Sequence, residues 1–120
     1  QYLDNILALR EAKEHGAQDV LLLNNQGNLT CASTANVFIV SGGRIYTPPL
    51  EAGVIDGIAR GIFMKAYAVS EKQISFDEIL QADEIILTNS LRGAVFAKSI
   101  NGHPLNSNCL GIDKNFHLGS

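Results

Sequence analysis

Apolar residues lie along this chain mainly as short uninterrupted runs between glycine-, asparagine- and proline-containing breaks, a pattern that predicts buried strands. Near the start the spacing differs. Leu3, Ile6 and Leu7 alternate with Arg10 and Glu14 at helical intervals, and Gly16 follows His15 where a helix would stop, so residues 2–15 are predicted to form an amphipathic helix. The run Val20 to Leu23 ends in Asn24-Asn25-Gln26-Gly27, which predicts a strand and a turn, with residues 29–32 returning as the hairpin partner. Val37-Phe38-Ile39-Val40 and Arg44-Ile45-Tyr46 flank Ser41-Gly42-Gly43 and make the clearest hairpin. Thr47-Pro48-Pro49 ends its second strand, because proline has no N–H to give to a sheet ladder, and residues 50–56 read as a loop.

Further along, Ile58, Ile62, Met64, Ala66 and Tyr67 predict a helix over 57–69. Ser75 with Glu78 three residues later is a capping box, and it predicts a short helix over 76–82. Ile85-Ile86-Leu87 predicts a strand over 83–88, and residues 91–100 follow as its successor. Asn101-Gly102 marks a turn, after which Asn106, Ser107, Asn108, Gly111 and Asn115 dilute the apolar pattern. Residues 1–102 are therefore expected to form the domain and 103–120 a loop or tail. No internal repeat breaks this organisation.

Composition narrows the function classes. With 120 residues and 46% hydrophobic content the chain holds material for one core. Charged residues make up 18%, the net charge is −3, and the basic residues form no stripe, so nucleic-acid binding is not expected. No apolar run is long enough for a membrane span, and the first residues lack the basic and apolar regions of a signal peptide. Cys31 and Cys109 stand far apart and outside any C-x-x-C spacing, which fits a reducing cytoplasm better than a disulfide framework. Gln1-Tyr2 leads straight into the apolar pattern without a start methionine, so the chain is expected to be a fragment. His15, His103 and His117 are too dispersed for a local metal site, and none is expected. Neither a P-loop nor a G-x-S-x-G string is present, and Ser41-Gly42-Gly43 joins two strands instead of opening a phosphate-binding helix.

Four strings taken in order change the picture: residues 28–38, Asn-Leu-Thr-Cys-Ala-Ser-Thr-Ala-Asn-Val-Phe; Thr47-Pro48-Pro49-Leu50; residues 53–60, Gly-Val-Ile-Asp-Gly-Ile-Ala-Arg; and Leu87-Thr88-Asn89-Ser90. Together they resemble the second, larger domain of the fold-type IV pyridoxal-phosphate enzymes, which include class IV aminotransferases and aminodeoxychorismate lyases. The likeness runs from about Tyr2 to Gly102. It implies an α/β fold with a mixed, largely antiparallel sheet and packed helices, pyridoxal 5'-phosphate as cofactor, and a homodimer with a smaller N-terminal domain beside the site.

By that resemblance the lysine that forms a Schiff base with the cofactor precedes Tyr2, and so falls before Gln1. Lys13, Lys65, Lys72, Lys98 and Lys114 match no such position and read as solvated surface residues, so no catalytic residue is assigned within the chain. Tyr2 would donate to the cofactor's phenolic oxygen; read alone, it is an aromatic packing into the core. Gly57-Ile58-Ala59 opens a helix, and the N–H groups there suit an anion, so Ile58 and Ala59 would hold the phosphate. Family members often carry a hydroxyl where Ala59 stands. Ser90 would add a second contact to the phosphate.

Cys31 stands where these enzymes usually place a glutamate against the pyridine nitrogen. A thiol is a weak partner there and would leave the ring a poorer electron sink. Alone, Cys31 reads as a small buried hydrophobe. Ser33, Thr34, Leu91 and Arg92 would face the substrate, Arg92 through its forked donors to a carboxylate. Because elimination of pyruvate from aminodeoxychorismate is driven by aromatisation, Cys31 favours a lyase making 4-aminobenzoate for folate synthesis. A branched-chain or D-amino-acid aminotransferase is the alternative, and a scaffold that has lost cofactor chemistry is a third.

Overall fold

The computed structural model describes residues 6–11, 18–24, 26–32, 35–49, 57–89 and 93–106. Strands dominate them, as the short apolar runs predict: β1 (Ile6–Glu11), β2 (Gln18–Leu23), β3 (Leu29–Ala32), β4 (Asn36–Ser41), β5 (Arg44–Thr47), β6 (Val69–Glu71), β7 (Glu84–Asn89), β8 (Gly93–Ile100) and β9 (His103–Pro104). Two helices complete the set, α1 (Gly57–Ala66) and α2 (Phe76–Leu80).

Of the helix predicted over residues 2–15, the described residues 6–11 form a strand instead. This strand, β1, lies between two antiparallel neighbours, β2 and β8, so its backbone is hydrogen-bonded on both sides. The run Ile6-Leu7-Ala8-Leu9 suits a helix or a strand of this length, and long-range pairing decided between them. The helix predicted over 57–69 stops at Ala66, and Val69 instead begins β6.

The sheet runs in the order β3-β2-β1-β8-β7-β4-β5-β6, with β9 paired to β8. Among the described strands only β5 and β6 run parallel, and α1 makes the crossover that a parallel pair requires. The chain leaving β6 then ties the two ends of the sheet together. Lys72 N donates to the Thr47 carbonyl at 3.0 Å, and Leu29 N donates to the Ile74 carbonyl at 2.7 Å. Asn28 and Ser75 form a further antiparallel bridge. Residues 72–75 thus run from the β5–β6 pair to β3, where the Leu29 N–H at the sheet edge finds a partner.

Strand alternation divides the core between the faces. On the inner face Leu21, Leu29, Val37, Ile39, Ile85, Leu87 and Ile100 pack with Ile79 of α2. On the outer face Phe38, Val40, Ile86 and Phe96 pack with Phe63 of α1, whose ring centroid is 4.4 Å from that of Phe38. The fold class expected from the sequence, α/β with a mixed and largely antiparallel sheet, is the one observed.

Candidate cofactor site

Strand directions bring several predicted segments to one end of the sheet. β5 runs towards Thr47 and is antiparallel to β4, which begins at Asn36. In turn β4 is antiparallel to β7, pairing Asn36 with Thr88. Because β5 and β6 are parallel, α1 must return against them, and its first turn lies at the same end as Thr47, Asn36 and Thr88. The pair Asn89–Gly93 closes the β7–β8 ladder at the same end.

At this end Gly57 and Ile58 stand in the first turn of α1, where backbone N–H groups have no partner within the helix and the helix dipole is positive. No acidic side chain sits in that turn. Ala59 is buried, whereas Ile58 is 64% exposed. The turn is anchored by Arg60, a buried residue whose Nη2 donates to the Pro48 carbonyl at 3.2 Å and to Glu71 Oε2 at 2.6 Å. One guanidinium therefore ties the start of α1 to the end of β5 and to β6. Thr47 is fixed as well, its Oγ1 donating to the Val37 carbonyl at 2.8 Å. Thr88 is fully buried, and among the described residues its Oγ1 is the buried side-chain atom without a hydrogen-bond partner.

Cys31 owes its orientation to a β-bulge. Leu22 pairs with Cys31 but Leu23 with Leu29, so Thr30 is the extra residue in β3. Leu29 and Ala32 both enter the inner cluster although they are three positions apart, which leaves Thr30 and Cys31 turned away from it. Thr30 Oγ1 donates to the Leu22 carbonyl at 2.8 Å and lies 3.7 Å from Cys31 Sγ. Cys31 is a buried, free cysteine. Ala32 N donates to the Ala35 carbonyl at 3.1 Å, which holds the end of β3 beside the start of β4.

The structure thus brings Ile58 and Ala59 to the sheet end approached by the chain from Cys31. Tyr2, Ser33, Thr34, Ser90, Leu91 and Arg92 lie outside the described residues. The sequence pattern assigns no site role to Arg60 or Thr88, although a hydroxyl closing the apolar run Ile85-Ile86-Leu87 is a readable signal. Lys72 bonds Glu78 and lies 5.3 Å from the centre of the Tyr46 ring, in a concavity also lined by Ile39, Ser41 and Gln81. That hydrogen bond raises the Lys72 pKa and, with the Ser75 backbone N–H, lowers that of Glu78. Among the described residues no group of histidine, cysteine, aspartate or glutamate gathers to hold a metal, and no helix is long and apolar enough to cross a membrane.

A model of the amino-transferase class IV family matches residues 1–100, and the chain belongs to that family. A probable branched-chain-amino-acid aminotransferase of Thermotoga maritima is 35% identical over 105 residues, covering 83% of this chain and 38% of the relative. Several other curated relatives carry the branched-chain description. Among solved structures, a putative 4-amino-4-deoxychorismate lyase from Legionella pneumophila matches with a TM-score of 0.71 and 30% identity, over 78% of this chain and 37% of that one. An aminotransferase from Brucella abortus bound to the cofactor PLP matches with a TM-score of 0.66 and 26% identity, over 72% of this chain and 33% of that one. The chain spans less than half the length of the curated relatives it matches.

Proposed function

We propose that the full-length protein is a pyridoxal-phosphate-dependent aminotransferase acting on branched-chain amino acids, and that this chain carries the phosphate- and ring-holding half of its site. The observation that carries the reading is the start of α1, anchored by Arg60 beside the buried, unpartnered Thr88 hydroxyl. An anion fits there: backbone donors and a positive helix end face it, with no carboxylate in the first turn. The PLP-bound neighbour and the branched-chain relatives supply the cofactor and the substrate class.

In this assignment the start of α1 at Gly57, Ile58 and Ala59, together with Ser90, would hold the phosphate. Tyr2 meets the phenolic oxygen, Cys31 meets the ring nitrogen, and Ser33, Thr34, Leu91 and Arg92 face the substrate. Bound pyridoxal phosphate supplies the electron-accepting ring for amino-group exchange. Cys31 offers that ring a weaker hydrogen-bond partner than a carboxylate would. The reading also requires a lysine N-terminal to Tyr2, residues 1–102 as the cofactor-binding domain, and a homodimer in the cytoplasm.

Mixing the full-length holoenzyme with leucine, isoleucine or valine tests the proposal through conversion of the cofactor to its amine form by absorbance. Absence of conversion with all three overturns it. Cys31 and the Legionella likeness favour a second reading, the lyase, which pyruvate release from aminodeoxychorismate would reveal. The curated relatives weigh towards transamination. For Cys31→Glu we predict a red-shifted cofactor band and a gain in transamination relative to elimination; an unchanged spectrum would remove Cys31 from the ring.

A further inference from the structure

We infer that Thr88 is a further phosphate-binding residue, its hydroxyl donating to the anion held at the start of α1. This rests on the pyridoxal-phosphate reading above and adds to it a residue from the floor of the site. Thr88 is 0% exposed and its Oγ1 has no hydrogen-bond partner. Native proteins leave few buried hydroxyls in that state, and a ligand absent from the structure is one of the recognised reasons.

Its position points to the ligand. Phe38, Ile86 and Phe96 form one row across the outer face beneath Phe63, because Ile86 pairs with both Phe38 and Phe96. The next row on that face is Asn36, Thr88 and Ala94, two residues further along each strand and so about 6.7 Å away. Stepping back four residues along α1 from Phe63 to Ala59 covers about 6 Å in the same direction. Thr88 therefore lies beneath the first turn of α1 and on the side facing it. A buried donor and the N–H groups at the start of a ten-residue helix lie at the same end of the sheet, and an anion placed between them would satisfy both. For this family member that anion is the phosphate monoester of the cofactor.

The test uses the full-length protein stripped of cofactor, with affinities for pyridoxal phosphate and for pyridoxal, which lacks the phosphate, measured by fluorescence titration. Thr88→Val keeps the branched shape and removes the hydroxyl. We expect about a 10-fold loss for pyridoxal phosphate, the size of one hydrogen bond to a charged group, and no change for pyridoxal. The apoprotein's Tm should rise by a few degrees, because the variant buries no unsatisfied hydroxyl. Thr88→Ser, which keeps the donor, should retain the parent's preference for pyridoxal phosphate. Should Thr88→Val compromise folding, Thr88→Ala is read against Thr88→Ser by the same ratio. A parent-like ratio of the two affinities in Thr88→Val, with the Tm still raised, overturns the inference while leaving the cofactor reading intact. Failure of the parent protein to prefer pyridoxal phosphate over pyridoxal overturns both.

Discussion

Arg60 offers the most direct measure of how the candidate site is held. Its side chain is 9% exposed and that of Glu71 is 43% exposed, so the pair spans the boundary between core and solvent. Replacing Arg60 with Met keeps much of the buried stem and removes both hydrogen bonds. Water screens the contact to Glu71, which limits its worth to about 0.5–1 kcal/mol despite the short distance. The buried Pro48 carbonyl loses a donor, a further cost of about 1–2 kcal/mol. Relief from desolvating a guanidinium offsets part of that sum. We therefore expect Arg60→Met to lose about 2 kcal/mol, read as a lower urea midpoint with an unchanged m-value. Glu71→Gln alone should lose under about 1 kcal/mol, and the double variant should show coupling in a mutant cycle. Cofactor affinity should fall with Arg60→Met as the start of α1 loses its tie to Pro48 and Glu71. An unfolding free energy within about 0.3 kcal/mol of the parent's, or affinity equal to the parent's, would refute this account of the anchor.

Two further outcomes follow from the packing and the capping box. Phe63→Ala empties the contact between α1 and the outer face, where Phe63 meets Phe38 and Tyr67, and should lose about 3–5 kcal/mol by thermal or chemical denaturation. Glu78 has its pKa lowered by the Lys72 hydrogen bond and by the Ser75 N–H, so its contribution is present above the ordinary glutamate value of about 4.3 and fades as pH falls through the lower folded value. Stability of the parent should therefore drop over that acid window more steeply than that of Glu78→Gln; equal slopes would deny the cap an ionised role.

Local signals in the sequence sufficed where neighbours in the chain are also neighbours in space. The Gly42-Gly43 hairpin, the Ser75–Glu78 capping box and the Pro48-Pro49 break all follow from backbone limits of a few residues. The turn glycines hold φ of 61° and 79°, and both arms of the capping box form. The four-string pattern also carries the family likeness. Tertiary structure decided the rest. The run Ile6-Leu7-Ala8-Leu9 became a strand only because β2 and β8 flank it. The bulge at Thr30 breaks the two-residue alternation on which sequence reading relies, and it sets the direction of Cys31. Arg60 resembled any scattered basic residue until the crossover brought Pro48 and Glu71 to it. Thr88 gained its meaning from burial without a partner beneath a helix start. Cofactor chemistry was legible in sequence because a family motif is local text, whereas what anchors and floors the site depends on contacts between distant segments.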